Sequence, residues 1–202
     1  MQSLVSDVSI YVHDLLSNQL PKSLTFHNLV HTLNVVEGVQ EICLNTGVPA
    51  EQSETVEIAA WFHDTGYMKK YIGHEEESIE IAKQFLDTKQ ISFNRVEEIV
   101  GCIYATKYPQ KPRNFLEKII CDADFYHFSL PDYRSKSDSL RAEWELNLSK
   151  FFTDTAWNKE NCSMLTAHKY FTAYGRETLQ DLKMANLEEI KFYCKNNNLL
   201  LE

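Results

Sequence analysis

Six glycines and five prolines serve all 202 residues. Sheet-rich folds need frequent turn punctuation, so so sparse a supply directs the chain toward long helices. Apolar residues recur at helical spacing in the stretches between. Leu4, Val8, Tyr11, Val12, Leu15 and Leu16 form one stripe, ending before Pro21. Leu29, Leu33, Val36, Val39, Ile42 and Cys43 form a second, which Ser23 or Thr25 could cap and which closes at Gly47 with Pro49 just beyond. A third helix is expected from Ser53-Glu54 through Ile58, Ala59, Trp61 and Phe62, stopping near Gly66. A fourth begins at Gly73-His74, where Glu75, Glu76 and Glu77 complement the positive end of the helix dipole. Residues 92–106 make another amphipathic stretch, Lys107 to Arg113 a proline-bearing loop, and helical patterns resume at 114–127, 137–151, 161–184 and 186–199. The expectation is an all-α chain of eight or nine helices with no sheet, one domain over 1–202. Its C-terminal helices, 137–199, would pack on an N-terminal core of about 20–130.

Cys43, Cys102, Cys121, Cys162 and Cys194 stand far apart with no CxxC pair, an unsuitable set for a disulfide framework or zinc ribbon and one that suits a reducing cytoplasm. Asp7, His13 and Asp14 interrupt the first apolar stretch, which has no basic segment before it, so no signal peptide is expected. No run of about 18 apolar residues suggests a membrane span. A net charge of −9 argues against bulk nucleic-acid binding, which draws on Lys and Arg. It leaves room for a small anionic ligand, because a bound dication reverses the local potential.

The chemistry lies in how His and Asp fall on these helices. His27 and His31 are four apart, a spacing that puts both on one helix face. His63 and Asp64 sit together at the end of the third helix. Asp122 and Asp124 lie in the largely apolar Ile119-Ile-Cys-Asp-Ala-Asp124, where a bare carboxylate is costly and a bound cation removes most of that cost. Imidazole and carboxylate together suit Zn, Mn, Fe, Co or Ni, with Mg also considered. Three or four protein ligands with open positions mark a catalytic style of site, in which the ion lowers the pKa of a water and polarises a phosphoryl oxygen.

Phe26-His27-Asn28-Leu-Val-His31, Trp61-Phe-His63-Asp64-Thr-Gly66-Tyr67 and Cys121-Asp-Ala-Asp124, in this order, resemble the HD superfamily of metal-dependent phosphohydrolases. The later Leu140-Arg141-Ala-Glu143-Trp144 is similar to small bacterial members. The resemblance implies a metal held by His31, His63, Asp64 and Asp124, with Asp124 favoured over its competitor Asp122 by the Ala-Asp wording. It implies that Asp64 also hydrogen-bonds the attacking water, and that His27 is a general acid or a phosphate ligand. The bland reading of His27, a pairing at the cleft edge, stands beside that one. His74 is expected at the site, as a partial second-metal ligand or a substrate contact, against the plainer reading of a helix-start residue. Lys107, in the densest basic group of the chain with Lys111 and Arg113, is expected to reach a substrate phosphate, against the plainer reading of a solvated loop. Arg141 and Glu143 read as partners in ion pairs across helices.

Two departures from the superfamily narrow the activity. Dinuclear members, including the di-iron oxygenases, add two His between the HD pair and the last Asp, whereas Ala105-Thr106-Lys107 stands at one of those places. The Glu-Asp pair of the guanosine-tetraphosphate hydrolases is replaced by Gly66-Tyr67-Met68. The expected activity is hydrolysis of a phosphate ester of a nucleotide or related small molecule, with an oxygenase on the same scaffold, or a silent nucleotide-binding regulator, as alternatives. The aromatic stripe of the C-terminal helices (Leu165, Tyr170, Phe171, Tyr174, Leu179) reads as core or as a homodimer contact.

Overall fold

A computed structural model describes residues 3–197 and 199. Nine α-helices and no strand occur among them: α1 Leu4–Gln19, α2 Leu29–Thr46, α3 Ala50–Phe62, α4 His74–Leu86, α5 Phe93–Ala105, α6 Phe115–Asp124, α7 Tyr133–Leu148, α8 Asp154–Ala167 and α9 Gln180–Asn196. Short 3-10 turns at Thr65–Met68 and Tyr126–Ser129 follow α3 and α6, and a π-helical turn at Gly175–Leu179 leads into α9. No helix among the described residues is long and apolar enough to cross a membrane.

Side chains set most of the starts. Ser3, Asn28, Ser92, Asn114 and Thr153 each accept a backbone N–H from the first turn of the helix they precede. Asn28 supplants both caps expected for α2, so the segment before it stays outside the helix. Gly47 ends α2 at φ 66°, where a side chain would be strained. At its own start α3 differs from expectation by beginning directly after Pro49, whose ring presets the entry.

The apolar stripe of α2 (Val35, Val36, Val39, Ile42) lies against α3 and α6, whose Val56, Ala59, Phe62, Ile119 and Ile120 are buried with it. Each of the Val, Ile and Phe side chains contributes about 1.5–3 kcal/mol on burial. Phe128, Tyr133, Leu165, Leu187 and Ile190 form a second, smaller cluster where α8 and α9 meet the Tyr126–Ser129 turn.

The helix expected over 161–184 is two elements. Between α8 and the π-helical turn the backbone leaves helical geometry, and the N–H groups of Phe171 and Thr172 donate to the carboxylate of Asp122 at 2.7 and 2.8 Å, joined by the Thr172 hydroxyl at 2.7 Å. A carboxylate buried in α6 has drawn these donors out of the helix ladder.

Candidate metal centre

Three elements converge at one end of the α2–α3–α6 packing. His31 lies in the first turn of α2, His63 and Asp64 close α3, and Asp124 is the last residue of α6. The Nε2 atoms of His31 and His63 are 3.4 Å apart. Asp64 Oδ2 stands 3.1 Å from His63 Nε2 and 3.4 Å from His31 Nε2, and Asp124 Oδ1 stands 3.4 Å from His31 Nε2. His63 is fixed from behind, its Nδ1–H donating to the Ala60 carbonyl at 2.7 Å, which leaves Nε2 as the inward atom. The second oxygen of Asp124 accepts from Gln110 Nε2 at 3.0 Å, so Oδ1 is the one presented to the imidazoles.

These groups fit a divalent cation. Asp64 Oδ2 is buried with no hydrogen-bond donor, an arrangement that is costly for a carboxylate until a cation meets it. Burial disfavours charge on His63, yet Asp64 and Asp124 beside it raise its pKa to about 9, and the same neighbourhood holds Asp64 well below the usual carboxylate range. Two carboxylates among neutral ring nitrogens demand positive charge at this point, as a proton or as a metal ion. Asp122, two residues before Asp124, points away from this cluster to the 171–172 backbone and is fully buried there.

Three aromatic rings stack beside the cluster. Tyr67 lies between His27 and His74, with ring centroids 4.5 and 3.7 Å away. His74 Nε2 is 3.4 Å from Asp64 Oδ1, and its Nδ1–H faces the Tyr71 carbonyl at 3.2 Å. Burial and the nearby carboxylates push the Tyr67 hydroxyl well above its ordinary pKa, so it stays protonated.

His27 is not on the helix face with His31, as spacing alone suggests: it precedes the cap Asn28, and its ring is set by Glu143 of α7. Glu143 is fully buried and accepts from the His27 ring, from the backbone N–H of Phe26 and of His27 at 2.8 and 2.9 Å, and from the Tyr71 hydroxyl at 2.8 Å. Burial pushes this carboxyl up, but the hydrogen bond and charge of His27 and the two backbone donors bring it below its ordinary value. Arg141 takes no part; its guanidinium meets Asp154 and the Phe152 carbonyl.

His27, His31, Asp64, His74 and Asp124 line one cavity of about 570 Å³. Lys107 does not. Its ammonium pairs with Glu76 and borders a separate depression with Lys111 and Arg113, so the expected reach to a substrate phosphate is not supported by its position. Sequence reasoning passed over Glu143 as a site residue, and Gln110 and His127 altogether. His127 lines the cavity, donates Nδ1–H to the Asp124 carbonyl at 3.1 Å, and is kept neutral by burial and the nearby His31. Its place three residues beyond Asp124, one helical turn on, is the signal that could have found it.

The solved structure of a predicted HD superfamily hydrolase from an uncultured Thermotogales bacterium is similar in fold, with a TM-score of 0.63 and 19% identity over 94% of this chain and 91% of that one. No curated protein matches the sequence. A family model described as HD domain matches residues 28–129, a span that takes in the cap Asn28, the ligand-like His and Asp residues and the turn after α6. The chain therefore belongs to the HD domain superfamily of metal-dependent phosphohydrolases.

Proposed function

We propose that this chain hydrolyses a phosphate ester of a small molecule, a nucleotide or a related phosphorylated compound, with a divalent cation held by His31, His63, Asp64 and Asp124. The observation that carries the reading is the buried, donor-free Oδ2 of Asp64, set among two imidazole nitrogens and a second carboxylate at the wall of a ligand-sized cavity. A divalent cation there supplies Lewis acidity toward water and a phosphoryl oxygen.

The remaining chemistry belongs to the protein. His27 directs Nδ1 to the Glu143 carboxylate, which leaves Nε2 to deliver a proton to the leaving oxygen as the P–O bond breaks. Glu143 fixes the orientation of the ring. Tyr67 keeps His27 and His74 a fixed distance apart by stacking between them. His74, against Asp64, faces the same space and is placed to orient water or a phosphoryl oxygen.

The test is metal analysis by mass spectrometry on protein prepared without chelator, followed by a phosphate-release screen of nucleotides and sugar phosphates with Mn, Co and Mg. Bound metal and turnover, both abolished in His63→Ala and Asp64→Ala, are expected. A wild type that is metal-free and inert across the panel overturns the reading.

A further inference from the structure

The cavity is far larger than the metal cluster needs, and its other end has a distinct chemistry. Away from His31 and Asp64 the wall is Phe128, Tyr133, Leu140, Trp144, Trp157 and Met164, from α7, α8 and the turn before α7. Trp144 and Trp157 meet edge to face at 5.6 Å and 86°, as do Phe128 and Tyr133 at 5.5 Å and 89°. Such a corner offers ring faces and edges to a further flat ring.

The polar groups at this end are almost all spent on one another. Tyr133 and Ser137 hydroxyls both donate to Asn161 Oδ1, at 2.6 and 2.5 Å, and Asn161 Nδ2 donates to the Trp157 carbonyl at 2.7 Å. Little is left to read the hydroxyls of a sugar or polyol. The indole N–H of Trp157 has no acceptor, but it is closed off from the cavity space in a residue only 4% exposed.

Charge sets a second limit. Lys150, exposed and with its ammonium 5.1 Å from the Trp144 ring centre, is the one Lys or Arg lining the cavity among the described residues. Asp64, Asp124, Glu75 and Glu160 line it with the opposite sign. One phosphoryl group at the cation is compensated; a second or third would face carboxylates.

From this we infer, resting on the hydrolase reading above, that the substrate is an ester bearing a single phosphoryl group and a flat aromatic body. The ring lies against the Trp144–Trp157 corner.

Binding can be measured apart from turnover by calorimetric titration of the full chain, loaded with Mn, using hydrolysis-resistant phosphonates. Methylphosphonate reports the phosphoryl end alone, and 1-naphthylmethylphosphonate adds a ring. The naphthyl compound is expected to bind at least about tenfold tighter than the methyl one. Trp144→Ala should remove most of that gain and leave methylphosphonate affinity unchanged. Adenosine triphosphate should bind no tighter than the monophosphate. Equal affinity for methyl and naphthyl phosphonates, or clear preference for the triphosphate, overturns the inference. Ring-dependent binding with no phosphate released from any ester upholds this inference and counts against the hydrolase reading instead.

Discussion

Glu143 holds the ring of His27 from 116 positions further along the chain, across the gap between α7 and the segment that precedes α2. The same carboxylate gathers the Phe26 and His27 backbone N–H groups and the Tyr71 hydroxyl, so one buried group sets both the path of the chain and the aim of the imidazole. If His27 is the proton donor, His27→Ala should lower kcat about 100-fold while metal content stays at the wild-type level. Glu143→Gln should lower kcat by about tenfold while metal content stays at the wild-type level. Normal turnover in His27→Ala would sink the assignment.

The two aspartates of α6 separate cleanly by experiment. Asp124→Ala should abolish stoichiometric metal binding, read by mass spectrometry. Asp122→Ala should keep the metal and lose stability, because three donors from Phe171 and Thr172 are then buried without an acceptor. At about 1–3 kcal/mol for a buried unsatisfied group, a total loss of roughly 3 kcal/mol or more is expected, a fall in Tm of roughly 6–12 °C. The reverse pattern, metal lost in Asp122→Ala and kept in Asp124→Ala, would exchange their roles.

Metal removal should also be visible in the wild type. A ligand that binds the folded state adds stability by mass action, so dialysis against a chelator should lower Tm and Mn should restore it. Asp64→Ala should have a Tm indifferent to either treatment.

Gly66 stands where the turn after α3 touches the start of α4. A Cβ there would lie 1.9 Å from the His74 carbonyl oxygen and 2.7 Å from Ser78 N, and the Gly66 N–H already donates to Ser78 Oγ at 2.8 Å. Both obstacles are backbone atoms of a helix, with no flexible tip to swing aside. Gly66→Ala should therefore cost about 3 kcal/mol in chemical denaturation. Wild-type stability in this variant would mean that α4 is free to move away from the His63-Asp64 turn.

His168 gives the acid limb of stability a defined source. Its ring nitrogens are buried without partners among Phe125, Phe128 and Tyr170, and burial, with the Lys183 ammonium adding to it and Asp124 opposing, lowers its pKa from 6.5 to about 4. The unfolded chain binds a proton here at a higher pH than the folded one. Stability from this group is fully present above pH 6.5 and is lost as pH falls from 6.5 toward about 4. Denaturation titrations at pH 7 and pH 4.5 should show His168→Phe with a smaller acid loss than wild type; equal losses would remove His168 from the account.

Much of this arrangement could be read from residue order. Helical periodicity located most of the helices, and the likeness of the three His/Asp motifs to the HD superfamily singled out His31, His63, Asp64 and Asp124; the structure stands them together. What escaped was non-local or too flexible to place. Glu143 and His27 are bound to each other only through the fold. The break near Thr172 carries no proline, because its cause is Asp122 fifty residues earlier. Lys107 has a long stem whose head found Glu76, a partner that no spacing rule pairs with it. The His27–His31 interval looked helical, but the capping side chain of Asn28 falls between the two and starts α2 at Leu29, two residues too late to include His27.

The tether from Asp122 to the 171–172 backbone bears on how this protein can be dissected. The matched family segment stops at 129, yet the carboxylate next but one to Asp124 draws all three of its donors from beyond that limit. A fragment trimmed to the matched boundaries would carry every ligand-like side chain and still lack the anchor that sets the last turn of α6. The metal centre is thus not a portable cassette; its geometry is co-owned by the carboxyl-terminal third of the chain.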